Sequence, residues 1–329
     1  MTLSAPPNSG ASNTPTVPNV TQLPHLSHLR SDSPPPVLPI QIKSYSPQLP
    51  GWTTTNPAGS YDTSAPAVLR LLTWNVDFMA AGSRRRVSCI LDHLRDIVLP
   101  DVSGSCILLQ ELDYESFQEV LLNEWVREHY AVTPPDTESW ETYYGVATLV
   151  SRDLRAFDPQ MMPFKNSIMG RTALFVDLEL SLVDSKDSSS HQTRVVRIAN
   201  THLESLPMGT ERRPVQLRHI ADKLREDGVT GGGLVAGDMN MIDPVDQDIH
   251  VRAGLQDACE SDDPSAFTWG FQPPMQFPPG RLDRIFFTGD HLEVAPVEVV
   301  GKGLKVQRTG EWASDHYGLM TTVTIRSLT

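Results

Sequence analysis

From residue 67 onward, short apolar runs alternate with polar or glycine-containing turns. "VLRLLTW", "CILLQ", "VATLV", "TALFVDLELSL", "VVRIAN", "GLVAG", "DRIFF" and "GLMTTVTI" are brief and often β-branched, the pattern of buried strands. Between them the spacing becomes helical. Val87, Ile90, Leu91, Leu94, Ile97 and Val98 recur at i, i+3, i+4 and i+7 and stop at Pro100. Leu217, Ile220 and Leu224 do the same ahead of Gly228, while Phe117, Val120, Leu121 and Trp125 predict a helix over about 115–129. The chain is therefore of mixed α/β class, with enough strands for two sheets and no internal repeat.

Residues 1–66 read differently. They hold about half of the 27 prolines, many Ser, Thr and Asn, and the run "SPPPVLPI", which is too little apolar content to offset the entropy of folding. Composition thus predicts a disordered Pro/Ser/Thr-rich tail over 1–66 and one folded domain over 67–329. A polyproline docking segment for a protein partner is the functional alternative for the tail. The start lacks a basic and then apolar leader, and no stretch approaches the roughly 18 apolar residues of a membrane helix. With three widely spaced Cys, the reading is a soluble protein of a reducing compartment, nucleus or cytoplasm, with no membrane association. A net charge of −13 excludes a protein that coats nucleic acid through its overall field, so any DNA contact must be local.

The strand ends carry the candidate chemistry. "VLRLLTW" runs into Asn75 and Asp77, "CILLQ" into Glu111, "VVRIAN" into His202, Glu204 and Ser205, and "GLVAG" into Asp238 and Asn240. Each alone has an ordinary reading as a turn former, a solvated charge, a core histidine or a helix cap. Their repetition, with "LDR" at 282–284 and "SDH" at 314–316, points to groups that bind metal or phosphate at one end of a sheet.

The ordered set "TWNVD", "LLQE", "THLES", "GDMN", "LDRIFF" and "SDHYGL" resembles the endonuclease/exonuclease/phosphatase superfamily over about 250 residues. Within it, "THLES" followed by "ERRPVQL", then "FTW" and "SDHYGL", is most similar to the 5′-tyrosyl-DNA phosphodiesterase branch. The resemblance implies a four-layer αββα sandwich with the site at one end of both sheets. It also implies Mg²⁺, with Mn²⁺ as a possible substitute, held by Glu111 with help from Asn75, and Asp315 supporting the metal or its loop. Asp238 would activate water with Asn240 fixing the geometry, His202 and His316 would donate to phosphate oxygens, and Asp283 would orient His316. Asp77 and Ser205 would support the site.

For the substrate, the resemblance implies DNA 5′ ends with a covalent tyrosine or peptide, including single-stranded ends. Trp269 would face the DNA end and Tyr144 the peptide side, and Arg281 would touch phosphate, while Arg84 to Arg86 read as a solvated face. Two residues depart from the branch pattern: Ile242 stands in place of Arg and Leu282 in place of Phe. Phe78 replaces a common Gly. The same metal and histidines would also serve a phosphatase or phosphodiesterase of abasic DNA, RNA, inositol phosphate or sphingolipid, for which "FQPPMQFPPG" (271–280) is the candidate apolar loop.

Overall fold

The computed structural model describes residues 34–54, 65–183, 192–261 and 263–327. The chain begins with strands β1 (Leu38–Pro39), β2 (Lys43–Ser46), β3 (Gly51–Thr54) and β4 (Val68–Asn75) and the helix α1 (Ser83–His93). Next come β5 (Ser105–Asp113), α2 (Tyr114–Leu122), α3 (Glu124–His129), β6 (Tyr130–Thr133), β7 (Tyr144–Ser151), β8 (Ala156–Pro163), β9 (Thr172–Ser181) and β10 (Thr193–His202). The remainder holds α4 (Arg213–Lys223), β11 (Gly232–Asp238), α5 (Ile249–Arg252), β12 (Gln256–Asp257), β13 (Asp283–Thr288), β14 (Leu292–Val294), β15 (Glu298–Val300) and β16 (Gly318–Ile325).

Every apolar run anticipated as a strand is one. Among the described residues they form a seven-stranded sheet, β1-β8-β9-β10-β11-β13-β12, and a nine-stranded sheet, β14-β16-β4-β5-β7-β6-β2-β3 with β15 on β16. Alternate side chains go to opposite faces. Leu69, Leu71, Cys106 and Leu108 meet Val176, Leu178, Ile198 and Leu234 between the sheets. Leu72, Trp74, Ile107 and Leu109 pack outward on α1, α2 and α3, while Phe175, Ala199, Val235 and Phe286 pack on α4 and α5. The result is the αββα sandwich.

Two helices differ from the apolar pattern. α1 runs on through a π-helical turn, Leu94–Val98, before Pro100. The anticipated helix over 115–129 is broken at Asn123, whose extended backbone ends α2 while its side chain accepts from the Val126 N–H to start α3.

The expectation of a structureless 1–66 is corrected for residues 34–54. β1 pairs antiparallel with β8, and β2 bridges β3 and β6. Ile42, 5% exposed, enters the core between the sheets, and Trp52 packs on the α1–α3 side. Averaging over a proline-rich segment hides such local burial, and Pro39 is tolerated because a two-residue edge strand does not need its N–H. Residues 1–33 and 55–64 lie outside the described residues, so the proposed partner-docking role of the proline-rich start lies largely outside them.

A buried polar link joins the sheets just behind the strand ends. Gln110 Nε2 donates to Asn200 Oδ1 at 2.8 Å and to Thr73 Oγ1 at 2.9 Å, and Asn200 Nδ2 donates to the Ala147 carbonyl at 2.9 Å. Such a buried link resists slippage of one sheet over the other.

Candidate active site

The parallel pairs β4·β5 and β10·β11 deliver their C-terminal ends to one place. Asn75 ends β4, His202 ends β10, Asp238 ends β11 and Asp283 opens the antiparallel β13 directly opposite Asp238. Three turns there hold left-handed backbone: φ is 58° at Asp77, 57° at Glu111 and 47° at Asn240. For Glu111 this follows from a bulge in β5, where pairing with β7 shifts register between Leu109 and Leu112 and turns the carboxylate toward the other sheet.

Asp238 is the hub. It is 2% exposed and accepts from Asn75 Nδ2 at 3.0 Å and from the Asn240 N–H at 2.9 Å. His202 Nε2 lies 3.3 Å and His316 Nε2 3.8 Å from its Oδ2. Glu111 Oε1 lies 3.7 Å from His202 Nδ1, and its Oε2 accepts from the Phe78 N–H at 3.2 Å. Asn240 Nδ2 donates to the Leu203 carbonyl, which fixes the turn that presents Asp238.

These groups perturb one another. Burial, reinforced by Asp238, pushes the Glu111 carboxyl up to about 7, although His316 opposes the rise. Burial and Asp283 raise Asp238 to about 6, again against His316. Burial, Arg171 and His316 hold His202 well below its ordinary value. For His316 burial works the other way, but Asp283, Asp315 and Asp238 raise it well above the ordinary value.

The histidines therefore differ in form. Asp283 Oδ2 lies 2.7 Å from His316 Nδ1 and holds that imidazolium with Nε2–H toward Asp238. Arg171 Nη1 lies 2.7 Å from His202 Nδ1 and can only donate, so neutral His202 carries its proton on Nε2.

Glu111, His202 and Asp238 bring one ligating atom each within 4.8 Å of one another, as do Asp238, Asp283 and His316. A divalent cation fits beside Glu111, a desolvated carboxylate whose ionisation the neighbouring Asp238 makes costlier, whereas His202, with Arg171 at Nδ1 and its proton on Nε2, has no lone pair left to offer it. Asp315 falls outside both clusters, and its Oδ2 accepts from Trp269 Nε1 at 3.0 Å. Of the two roles expected of it, the metal or its loop, the contact it makes is with the loop residue Trp269, half-buried and lining the cleft beside His316.

Ser205 Oγ accepts from Arg171 Nη2 at 2.6 Å beside His202. Tyr144 donates its hydroxyl to the Met169 carbonyl at 3.1 Å and stacks on Phe78 with centroids 4.1 Å apart, which accounts for an aromatic where Gly is common. The expected phosphate contact of Arg281 is corrected: its side chain is 7% exposed and its guanidinium forks onto Asp257 at 2.7 and 3.0 Å. Asp77 accepts from the Met79 and Ala80 N–H groups and from Arg86, so it shapes its own loop.

Two residues of consequence were missed. Arg171, one position ahead of β9, reaches His202 and Ser205 and lies with its guanidinium carbon 5.3 Å from the Tyr144 ring centroid. Arg86 is not a solvated charge but 1% exposed, donating to the carbonyls of Val76, Asp77, Ala80 and Ala313.

A family model described as Endonuclease/Exonuclease/phosphatase family matches residues 72–316, about three-quarters of the chain. The chain belongs to that family. As a member of it, the protein is a phosphoester-cleaving enzyme. Tyrosyl-DNA phosphodiesterase 2 of Rattus norvegicus is 24% identical over 285 residues, 82% of this chain and 70% of the relative. A crystal structure of D. rerio TDP2 with single strand DNA product is similar in fold, with a TM-score of 0.61 at 20% identity, covering 78% of this chain and 99% of that one. Truncated Caenorhabditis elegans TDP2 gives 0.59 at 22% identity, covering 78% and 97%. Within the family frame, Leu282 is 8% exposed and Ile242 is 44% exposed, and both line the cleft. No helix among the described residues is long and apolar enough to cross a membrane.

Proposed function

We propose that this enzyme is a Mg²⁺-dependent phosphodiesterase of DNA 5′ ends that carry a covalent tyrosine or peptide. The observation that carries the chemistry is Asp238, fixed by Asn75 and Asn240 and flanked by two imidazole N–H groups. The similarity to tyrosyl-DNA phosphodiesterase 2 supports the choice of substrate.

Glu111 and Asn75 would hold Mg²⁺, which when bound neutralises charge on the phosphate oxygens. Asp238, with a value of about 6, is poised near neutrality to take a proton from the attacking water, and its two hydrogen bonds aim the lone pair. As negative charge gathers on the phosphorus oxygens, His316 and His202 donate to them from fixed positions. Asp283 keeps His316 charged and correctly turned. Arg171 keeps His202 in the donating tautomer and places positive charge beside Tyr144, where it would favour departure of a phenolate. Action on DNA ends would place the enzyme in the nucleus.

The Met275 and Phe277 side chains, 42% and 59% exposed at the cleft rim, favour a second reading, hydrolysis of a lipid or other small phosphoester with the same residues. The full chain with Mg²⁺ or Mn²⁺ is tested on a 5′-phosphotyrosyl oligonucleotide, an abasic duplex, a sphingolipid phosphodiester and bis-p-nitrophenyl phosphate. The expected result is chelator-sensitive release of tyrosine from the first. Turnover confined to the abasic duplex or to the lipid would reassign the substrate.

A further inference from the structure

The catalytic centre opens into a cleft of about 1390 Å³ that spreads over α5, β12 and the 275–282 loop. Its walls are mostly apolar: Leu206, Ile242, Val251, Met275 and Phe277 are 42–64% exposed, and Trp269 stands beside them. Apart from His316 at the catalytic centre, its cations among the described residues are Arg281 and Arg284, and both are already paired with the Asp257 carboxylate, at 2.7 and 3.3 Å. Among the described residues no Lys lines the cleft, whereas Glu260 and Asp315 add negative charge. Arg171 stands beside Tyr144, which does not line this lobe.

A nucleic-acid groove ordinarily presents Lys and Arg whose pairing with phosphates releases counterions, so affinity grows with strand length and falls with salt. This cleft has the other ingredient of single-strand binding, the apolar and aromatic surfaces on which bases lie regardless of sequence. From this charge balance, and resting on the proposed 5′-end activity, we infer that the cleft grips a strand through its terminal nucleoside alone. Each further phosphate adds nothing to recognition. The preferred substrate is a phosphodiester whose neighbouring group is neutral and apolar or aromatic.

The test measures kcat/KM of the full chain on 5′-phosphotyrosyl oligothymidylates of about 1, 4 and 12 nucleotides, at about 50 and 200 mM KCl, with Mg²⁺ constant. The three lengths are expected to agree within about threefold and to share one salt response. Three phosphate contacts would instead cost the longest strand about 20-fold over that salt range, and such a loss, absent from the shortest, would overturn the inference. Phe277→Lys places a cation on the rim and is expected to create a preference for the long strand that vanishes at high salt. A folded Phe277→Lys enzyme still indifferent to length would show that the strand does not meet this wall.

A second arm separates the inference from the substrate reading. The p-nitrophenyl ester of thymidine 5′-phosphate is compared with the same ester bearing a 3′-phosphate. Unchanged or slower turnover of the latter supports the neutral-group preference even if every tyrosyl substrate fails, and an acceleration of about 10-fold or more overturns it.

Discussion

Asn75, at the end of a strand in one sheet, donates its side-chain N–H to Asp238, at the end of a strand in the other, at 3.0 Å. The bond is buried and joins the two halves of the sandwich at the point where chemistry is proposed. It fixes which carboxylate oxygen faces the cleft, and the geometry of the base therefore depends on both sheets.

Asp238→Asn keeps the size of the side chain but removes the proton acceptor. Turnover is expected to fall by about 10² to 10⁴. Melting temperature should stay level or rise, since the change also removes the repulsion that raises Glu111. Steady-state kinetics beside a thermal melt checks both, and a folded variant at near wild-type rate would show that Asp238 is no base.

Asp283→Asn leaves His316 without its anionic partner at 2.7 Å. His316 should then lose its charge at lower pH, and turnover should drop by about 10² to 10⁴, most severely on the alkaline side. The pH profile of kcat/KM is the measurement. A uniform loss at every pH would mean that Asp283 only packs.

Arg86→Ala would orphan the carbonyls of Val76, Asp77, Ala80 and Ala313. The first of these follows Asn75 and the last precedes Ser314, so the substitution loosens two catalytic loops together. A loss of about 3 kcal/mol or more in urea unfolding is expected, with little rescue by Lys, whose ammonium cannot fork across four acceptors.

Chelated protein should lose stability as the medium becomes alkaline. The ordinary values of Glu111 and Asp238 are 4.5 and 3.8, and the folded protein raises them to about 7 and about 6. Stability tied to their protonated forms is fully present below the ordinary carboxylate range and lost as pH rises through those folded values. The melting temperature in EDTA should fall between about pH 4 and 7, and Mg²⁺ should restore more of it at 8 than at 5. Equal restoration at both would mean that Glu111 does not hold the ion.

The strand ends made most of the centre legible, because a polar residue that interrupts an apolar run at its C-terminal end has few ways to point except out of the sheet. That pointed to Asn75, Glu111, His202 and Asp238 as one set, whereas His316, which stands just ahead of its strand, joined them through the resemblance carried by "SDHYGL". Arg171 escaped notice because it precedes its strand, "TALFVDLELSL", and its value comes from crossing to a neighbouring strand. Arg86 sits in a run of three arginines where only helical phase distinguishes the inward one. Arg281 read as a phosphate contact because its partner Asp257 lies 24 residues away on another strand. Side-chain pairing of that kind leaves no periodic trace.

The strands that residues 34–54 contribute occupy outer edges, β1 on β8 and β2 with β3 on β6. Uncovered edges offer rows of free N–H and C=O groups that recruit strands from other molecules. A protein cut back to residue 67, where the proline-rich composition ends, would bare both at once. Such a truncated enzyme could keep every catalytic group and still be lost to self-association, with this short proline-bearing segment acting as a guard against aggregation.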